Sequence, residues 1–219
     1  MTTSSVLDSR YSWFRLGFTL LIAMIGNVGM WAVIMILPAV QSEFGIDRAD
    51  ASLPYTLTMV GFAVGNVVIG RAVDRFGVTW SLVCAAILTS VAFVASAFSG
   101  SIFVLSAIHL ILGFGASASF GPLIADISHW FLRRRGIAVA IAASGNYLSG
   151  AIWPVLLSGV LADHGWRAVY FSLAAYSIAI IVPAALYLRR RVPHEATDAA
   201  DQDSGRRAEA VLFSPTVLV

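Results

Sequence analysis

Asn27, Trp31, His109, Asn146, Tyr147 and Trp153 are the side chains of this sequence placed to do chemistry. Each lies deep in an apolar run, where a polar group is costly unless it faces a cavity or a partner. His109 sits roughly 10 Å below one end of its run, at 1.5 Å per helical residue. Imidazole titrates near neutrality, so it could exchange a coupling proton or pair with an anion. The carboxamides of Asn27 and Asn146, the indole N–H groups of Trp31 and Trp153 and the phenol of Tyr147 could grip a carboxylate or another polar solute. Hydrogen bonding between neighbouring helices is the competing use of each of these groups. A second constellation is charged. Gly70, Asp74, Arg75 and Gly77 spell G-x-x-x-D-R-x-G between two apolar runs. No metal-ligand cluster, no nucleophile paired with a base and no phosphate loop is legible. The sequence therefore predicts no enzyme, no cofactor and no metal.

The elements that must position these groups follow from composition. Hydrophobic residues make up 58% of the 219, and charged residues only 12%. Soluble domains average about 25% charged residues. So much apolar surface needs lipid, and a solvated basic face for nucleic acid is absent. About 20 apolar residues form a spanning helix. Six runs qualify: 16–40, 52–69, 80–98, 102–127, 136–161 and 168–188. The first is too long for a signal-peptide core of about 7–15 residues and reads as a retained helix. Ser52 is expected to cap the second helix, with Pro54 in its first turn. Residues 1–15 form a polar N-terminus, 16–191 the bundle, and 192–219 a solvated linker and an apolar end too short to span.

Six spans place the N-terminus, second loop, fourth loop and tail on one side. Every basic residue is arginine, and twelve of the fourteen fall on that side. Arg48 and Arg167 alone lie opposite. This bias predicts both termini in the cytoplasm. Trp13, Trp80, Trp130 and Trp166 fall at predicted helix ends, as an aromatic belt requires. Asp126 is expected in an interfacial salt bridge with the nearby Arg133, Arg134 and Arg135. Gly61-x-x-x-Gly65 reads as a close helix contact. Cys84, the single cysteine, excludes an intrachain disulfide.

An internal echo indicates a repeat. Gly70-x-x-x-Asp74-Arg75-x-Gly77 joins the second and third runs, and Gly159-x-x-x-Asp163-His164-Gly165 joins the fifth and sixth on the opposite face. Two three-helix units of inverted topology produce this pattern. Glycine and proline also interrupt the first run (Gly26, Gly29, Pro38) and the fourth (Gly113, Gly115, Gly121, Pro122). Interrupted helices in corresponding positions point to a binding cavity.

The Gly70–Gly77 motif within six spans resembles the N-terminal half of a major facilitator superfamily transporter. The stretch from Trp130 through Arg133-Arg134-Arg135-Gly136 to Ala138 resembles the branch of monocarboxylate porters and oxalate/formate exchangers. Gly165-Trp166-Arg167 also fits the superfamily. The resemblance covers Leu16 to Arg191. Val78 and Thr79 replace the basic pair usual after the loop motif, His109 stands where a fourth-helix arginine would fall, and Gly145-Asn146-Tyr147 replaces the drug-antiporter signature. These departures disfavour a proton-driven drug exporter.

The resemblance implies an all-α, polytopic membrane bundle of six helices, in two inverted three-helix repeats. It implies a secondary transporter of a small solute, an organic anion such as a monocarboxylate, in a plasma or bacterial inner membrane. Asp74 and Arg75 would then tie helix ends together on the cytoplasmic side. Alternating access needs a second six-helix bundle, from a homodimer, a separate chain or a missing C-terminal part. The rival expectation is a truncated, non-transporting remnant or a membrane assembly partner.

Overall fold

A computed structural model describes residues 7–189, and these form a bundle of helices. The linker and apolar end expected over 192–219 lie outside the described residues. The first span is α1 (Arg10–Gly26) followed by α2 (Val28–Phe44), separated by Asn27 alone. A short α3 (Arg48–Ala51) leads into α4 (Leu53–Phe76), and α5 (Val78–Ala97) is the third span. The fourth is α6 (Ile102–Ala116), a 3₁₀ turn (Ser117–Ser119) and α7 (Gly121–Ser128). The helix α8 (Arg135–Tyr176) then carries two spans, because Gly165 breaks it at φ 78°, ψ 176°. A π turn (Ser177–Ile181) and α9 (Val182–Tyr187) complete the sixth. Pro183 lacks the N–H that would continue the regular ladder, which accounts for the widened turn before it.

Among the described residues, five continuous stretches are long and apolar enough to cross a membrane; the fifth, Arg135–Tyr187, becomes two at Gly165. Six spans therefore stand as expected. The charged motif is mostly helical, however, rather than a loop between the runs. Gly70 to Phe76 form the last turns of α4, and Gly77 makes the turn by itself, at φ 86° and ψ 161°. Its N–H donates to the Val73 carbonyl at 2.8 Å. A side chain bearing Cβ is strained at such a φ, so the motif ends in glycine. Gly165 repeats nearly the same backbone geometry at the other face. The sequence echo is thus a structural one.

Two local expectations are corrected. Ser52 occupies the start of α4 in a helical conformation and caps nothing; its hydroxyl donates to the Ala49 carbonyl at 2.6 Å. The side-chain cap belongs to Asp47, which accepts from the Asp50 N–H and starts α3. Trp13 and Trp80 are partly open at helix ends, but Trp130 and Trp166 are buried, so the belt has lost half its members.

Small residues set the closest helix contact, between α4 and α6. A Cβ at Gly61 would strike the Leu110 carbonyl, and one at Gly113 the Thr58 carbonyl. Neither obstacle is the flexible end of a side chain. Gly113→Ala should therefore force the two helices apart and destabilise the bundle by about 1–3 kcal/mol, the range for overpacking. Thermal unfolding in detergent measures this, with Gly70→Ala, where a Cβ meets nothing, as the control for the helix-propensity gain of about 0.5–1 kcal/mol.

Candidate functional site

The interruptions of the first and fourth spans meet inside the bundle. A Cβ at Gly26 would overlap the Ser119 side chain, and Asn27 Nδ2 lies 3.5 Å from the Ser119 carbonyl. Backbone carbonyls freed by a break in a membrane helix must find donors within the protein. Two of the expected site residues donate at the break: Trp153 Nε1 to the Met24 carbonyl at 3.0 Å, and Asn27 Nδ2 at 2.8 Å to the Ala23 carbonyl, which also accepts the Asn27 N–H at 3.3 Å. Both side chains are buried. Each thus satisfies the end of α1. Asn27 Oδ1, also buried, keeps no hydrogen-bond partner among the described residues.

Trp31 and Asn146 come together on the face shared by α2 and the first half of α8, with Tyr147 next along the helix. Trp31 Nε1 donates to Asn146 Oδ1 at 3.3 Å. The indole lies flat over Gly150, where a Cβ would stand 2.7–2.9 Å from ring atoms. Asn146 and Trp31 are half-buried, and Tyr147 is 73% exposed.

His109 is placed elsewhere, in the packed interior among α5, α6 and α8. It is fully buried on α6. Its Nδ1 lies 2.9 Å from the Leu105 carbonyl, which can only accept, so Nδ1 carries the proton. Its Nε2 then accepts from the Tyr170 hydroxyl at 3.0 Å. Phe93 and Trp166 pack on Tyr170 in turn. The imidazole is enclosed by α5, α6 and the second half of α8, with both ring nitrogens bonded.

The charged groups divide between two faces. At one, a cavity of about 530 Å³ is lined by Arg15, Asp74, Gly77, Asp126, His129 and Arg189, among others. Asp74 and Arg75 are exposed and form no ion pair among the described residues. Arg75 stacks over Phe76, 5.4 Å from the ring centre. Asp126 does not pair with Arg133, Arg134 or Arg135; its partner is Arg15, with Nη2 at 2.7 and 2.9 Å and Nε at 3.0 Å. Arg15 also donates to the Leu188 carbonyl at 3.0 Å and lies over the Trp130 ring at 4.5 Å. The three arginines of the loop stay at the surface, and Asp8 caps that loop by accepting from the Leu132 and Arg133 N–H groups.

The opposite face carries a related cluster. Glu43 accepts from Trp166 Nε1 at 2.6 Å and from Arg167 Nη1 at 2.8 Å. Arg167 donates to the Ser99 carbonyl at 3.4 Å and stacks on Trp166 at 4.2 Å. A carboxylate at the end of an interrupted span, an arginine, a tryptophan beneath it and a carbonyl ending a third span thus recur at each face. Sequence reading missed both clusters. The signal was the coincidence of Asp126 with Trp130, and of Trp166 with Arg167, at the ends of spans.

Comparison with known proteins places this architecture. A probable sulfoacetate transporter, SauU, of Cupriavidus necator is 26% identical over 164 residues, covering 74% of this chain and 38% of that protein. Human monocarboxylate transporter 6 is 33% identical over 135 residues, covering 59% of this chain and 26% of the relative. A gallate transporter of Pseudomonas putida is 23% identical, covering 78% and 38%. The chain spans less than half the length of these curated relatives. A bacterial homologue of the human lysosomal transporter Spinster, inward-facing and unoccupied, superposes with a TM-score of 0.69. It shares 16% identity, and the match covers 85% of this chain and 44% of that one. The family model described as Major Facilitator Superfamily matches residues 19–218, and the chain belongs to that family.

Proposed function

We propose that this bundle is one side of a secondary transporter for a small organic anion bearing a carboxylate. The observation that carries the reading is the meeting of the two interrupted spans at Gly26 and Ser119, since such breaks in corresponding helices mark the substrate site of transporters. Sulfoacetate, monocarboxylates and gallate, named for three relatives, are small anions that share a carboxylate. Asn146, held by Trp31, and Tyr147 offer hydrogen-bonding groups beside those breaks, on a face left open by the described helices. Asn27 and Trp153 shape the site by closing the end of α1. His109 serves packing rather than coupling.

Alternating access requires a second six-helix bundle rocking against this one. The unpaired Asp74 and Arg75 are the groups that would meet it at the arginine-rich face, which we assign to the cytoplasm of a plasma membrane. Uptake of labelled sulfoacetate, gallate and lactate into vesicles containing the chain tests the reading, with cross-linking in the same membranes to reveal the second bundle. Saturable uptake by a cross-linkable assembly supports it. Uptake by a strict monomer refutes the two-bundle mechanism, and no uptake by any assembly favours a non-transporting membrane partner.

Sidedness has its own test. With Cys84→Ser as background, a cysteine at exposed Ser42 should react with an impermeant thiol reagent from outside intact cells. A cysteine at exposed His129 should react only after permeabilisation. The reverse pattern would invert the assignment.

A further inference from the structure

We propose that Asn146 is the carboxylate-binding donor of the α2–α8 face, and that Trp31, seated on Gly150, locks its carboxamide in the donating orientation. This rests on the organic-anion reading above and names the side chains that would carry it out. An indole N–H can donate but never accept. The atom of Asn146 that faces Trp31 Nε1 at 3.3 Å must therefore be the amide oxygen. Turning the amide over would set two donors against each other. The NH₂ group is consequently directed away from Trp31, and Asn146 makes no other side-chain hydrogen bond among the described residues. A free N–H donor on a half-buried group, next to the exposed Tyr147, suits a carboxylate oxygen.

The same logic gives Asn27 the opposite polarity. The Ala23 carbonyl only accepts, so the Asn27 NH₂ is spent on it at 2.8 Å. The atom left without a partner is Oδ1, an acceptor that a carboxylate would avoid. Of the two asparagines, only Asn146 has donors to offer an anion. Trp31 is a positioning residue in this arrangement, and Gly150 is its seat. Any side chain at Gly150 would displace the indole and release the amide.

The test compares benzoate with benzamide, close in shape but different in charge, by equilibrium dialysis against the full chain in nanodiscs. Wild type should bind benzoate at least about tenfold more tightly than benzamide, the scale of one charge-assisted hydrogen bond. Asn146→Asp is the discriminating variant. It can still accept from Trp31, so the local fold is held, but the donors are gone and a negative charge replaces them. Its benzoate affinity should fall about tenfold or more. Trp31→Phe removes the N–H while keeping an aromatic ring over Gly150, and should weaken benzoate about threefold with little change for benzamide. Wild-type benzoate affinity in both variants would overturn this assignment and leave the organic-anion reading standing. Failure of the wild type to prefer benzoate over benzamide would overturn both.

Discussion

Arg15→Ala should be the most damaging single substitution among those considered, costing the bundle about 3–5 kcal/mol, the range for breaking a buried ion pair. The side chain is 1% exposed, and it joins three spans at once through Asp126, the Leu188 carbonyl and the face of Trp130. Its removal leaves the Asp126 carboxylate with its strongest partner gone and a carbonyl without its donor. Asp126→Asn is the milder counterpart, because the amide oxygen still accepts from the guanidinium. Arg15→Lys should recover little: an ammonium cannot reproduce the fork that grips both carboxylate oxygens while also reaching Leu188. Chemical unfolding in detergent measures all three. A cost below about 1 kcal/mol for Arg15→Ala, the range of surface pairs, would show that the cluster is solvated and loose.

The second large effect is expected at His109. His109→Ala removes a filled volume and deprives the buried Tyr170 hydroxyl of its acceptor, so the cavity and the orphaned group should together cost about 3–5 kcal/mol. Tyr170→Phe should cost less, about 1–3 kcal/mol, because it strands only Nε2. His109→Leu combined with Tyr170→Phe removes both polar partners, and its cost should fall below the sum of the two single changes. In any assembly that transports, His109→Gln should leave the pH profile of uptake unaltered. A flattened profile would return the imidazole to the coupling role that its rarity suggested.

The legible part of this molecule was set by local rules. Spans are read from runs of apolar residues because a bilayer fixes their length. Gly77 and Gly165 were legible as an echo because only glycine tolerates the backbone angles that a one-residue turn imposes. The interruption at Gly26 and Asn27 was visible as a break, but its chemistry was not. Asn27 and Trp153 looked like ligands for a solute, yet they complete the end of α1. That use depends on which carbonyls fall free, and nothing in the spacing reveals it. Arg15 and Asp126 stand 111 residues apart, so the loop arginines nearest in sequence drew attention to the wrong pair. His109 was conspicuous as a lone titratable group at depth, but the Tyr170 that encloses it is 61 residues away. Partners so distant are set by packing, and packing has no periodicity to read.

The paired clusters at the two faces differ in one physical respect. The Arg15–Asp126 pair is 1% and 20% exposed, whereas Arg167 and Glu43 are both 41% exposed. Salt screens the second pair more strongly than the first. The bundle therefore has unequal compliance along its axis. One end is held with less dependence on ionic strength, and the other slackens more as salt rises.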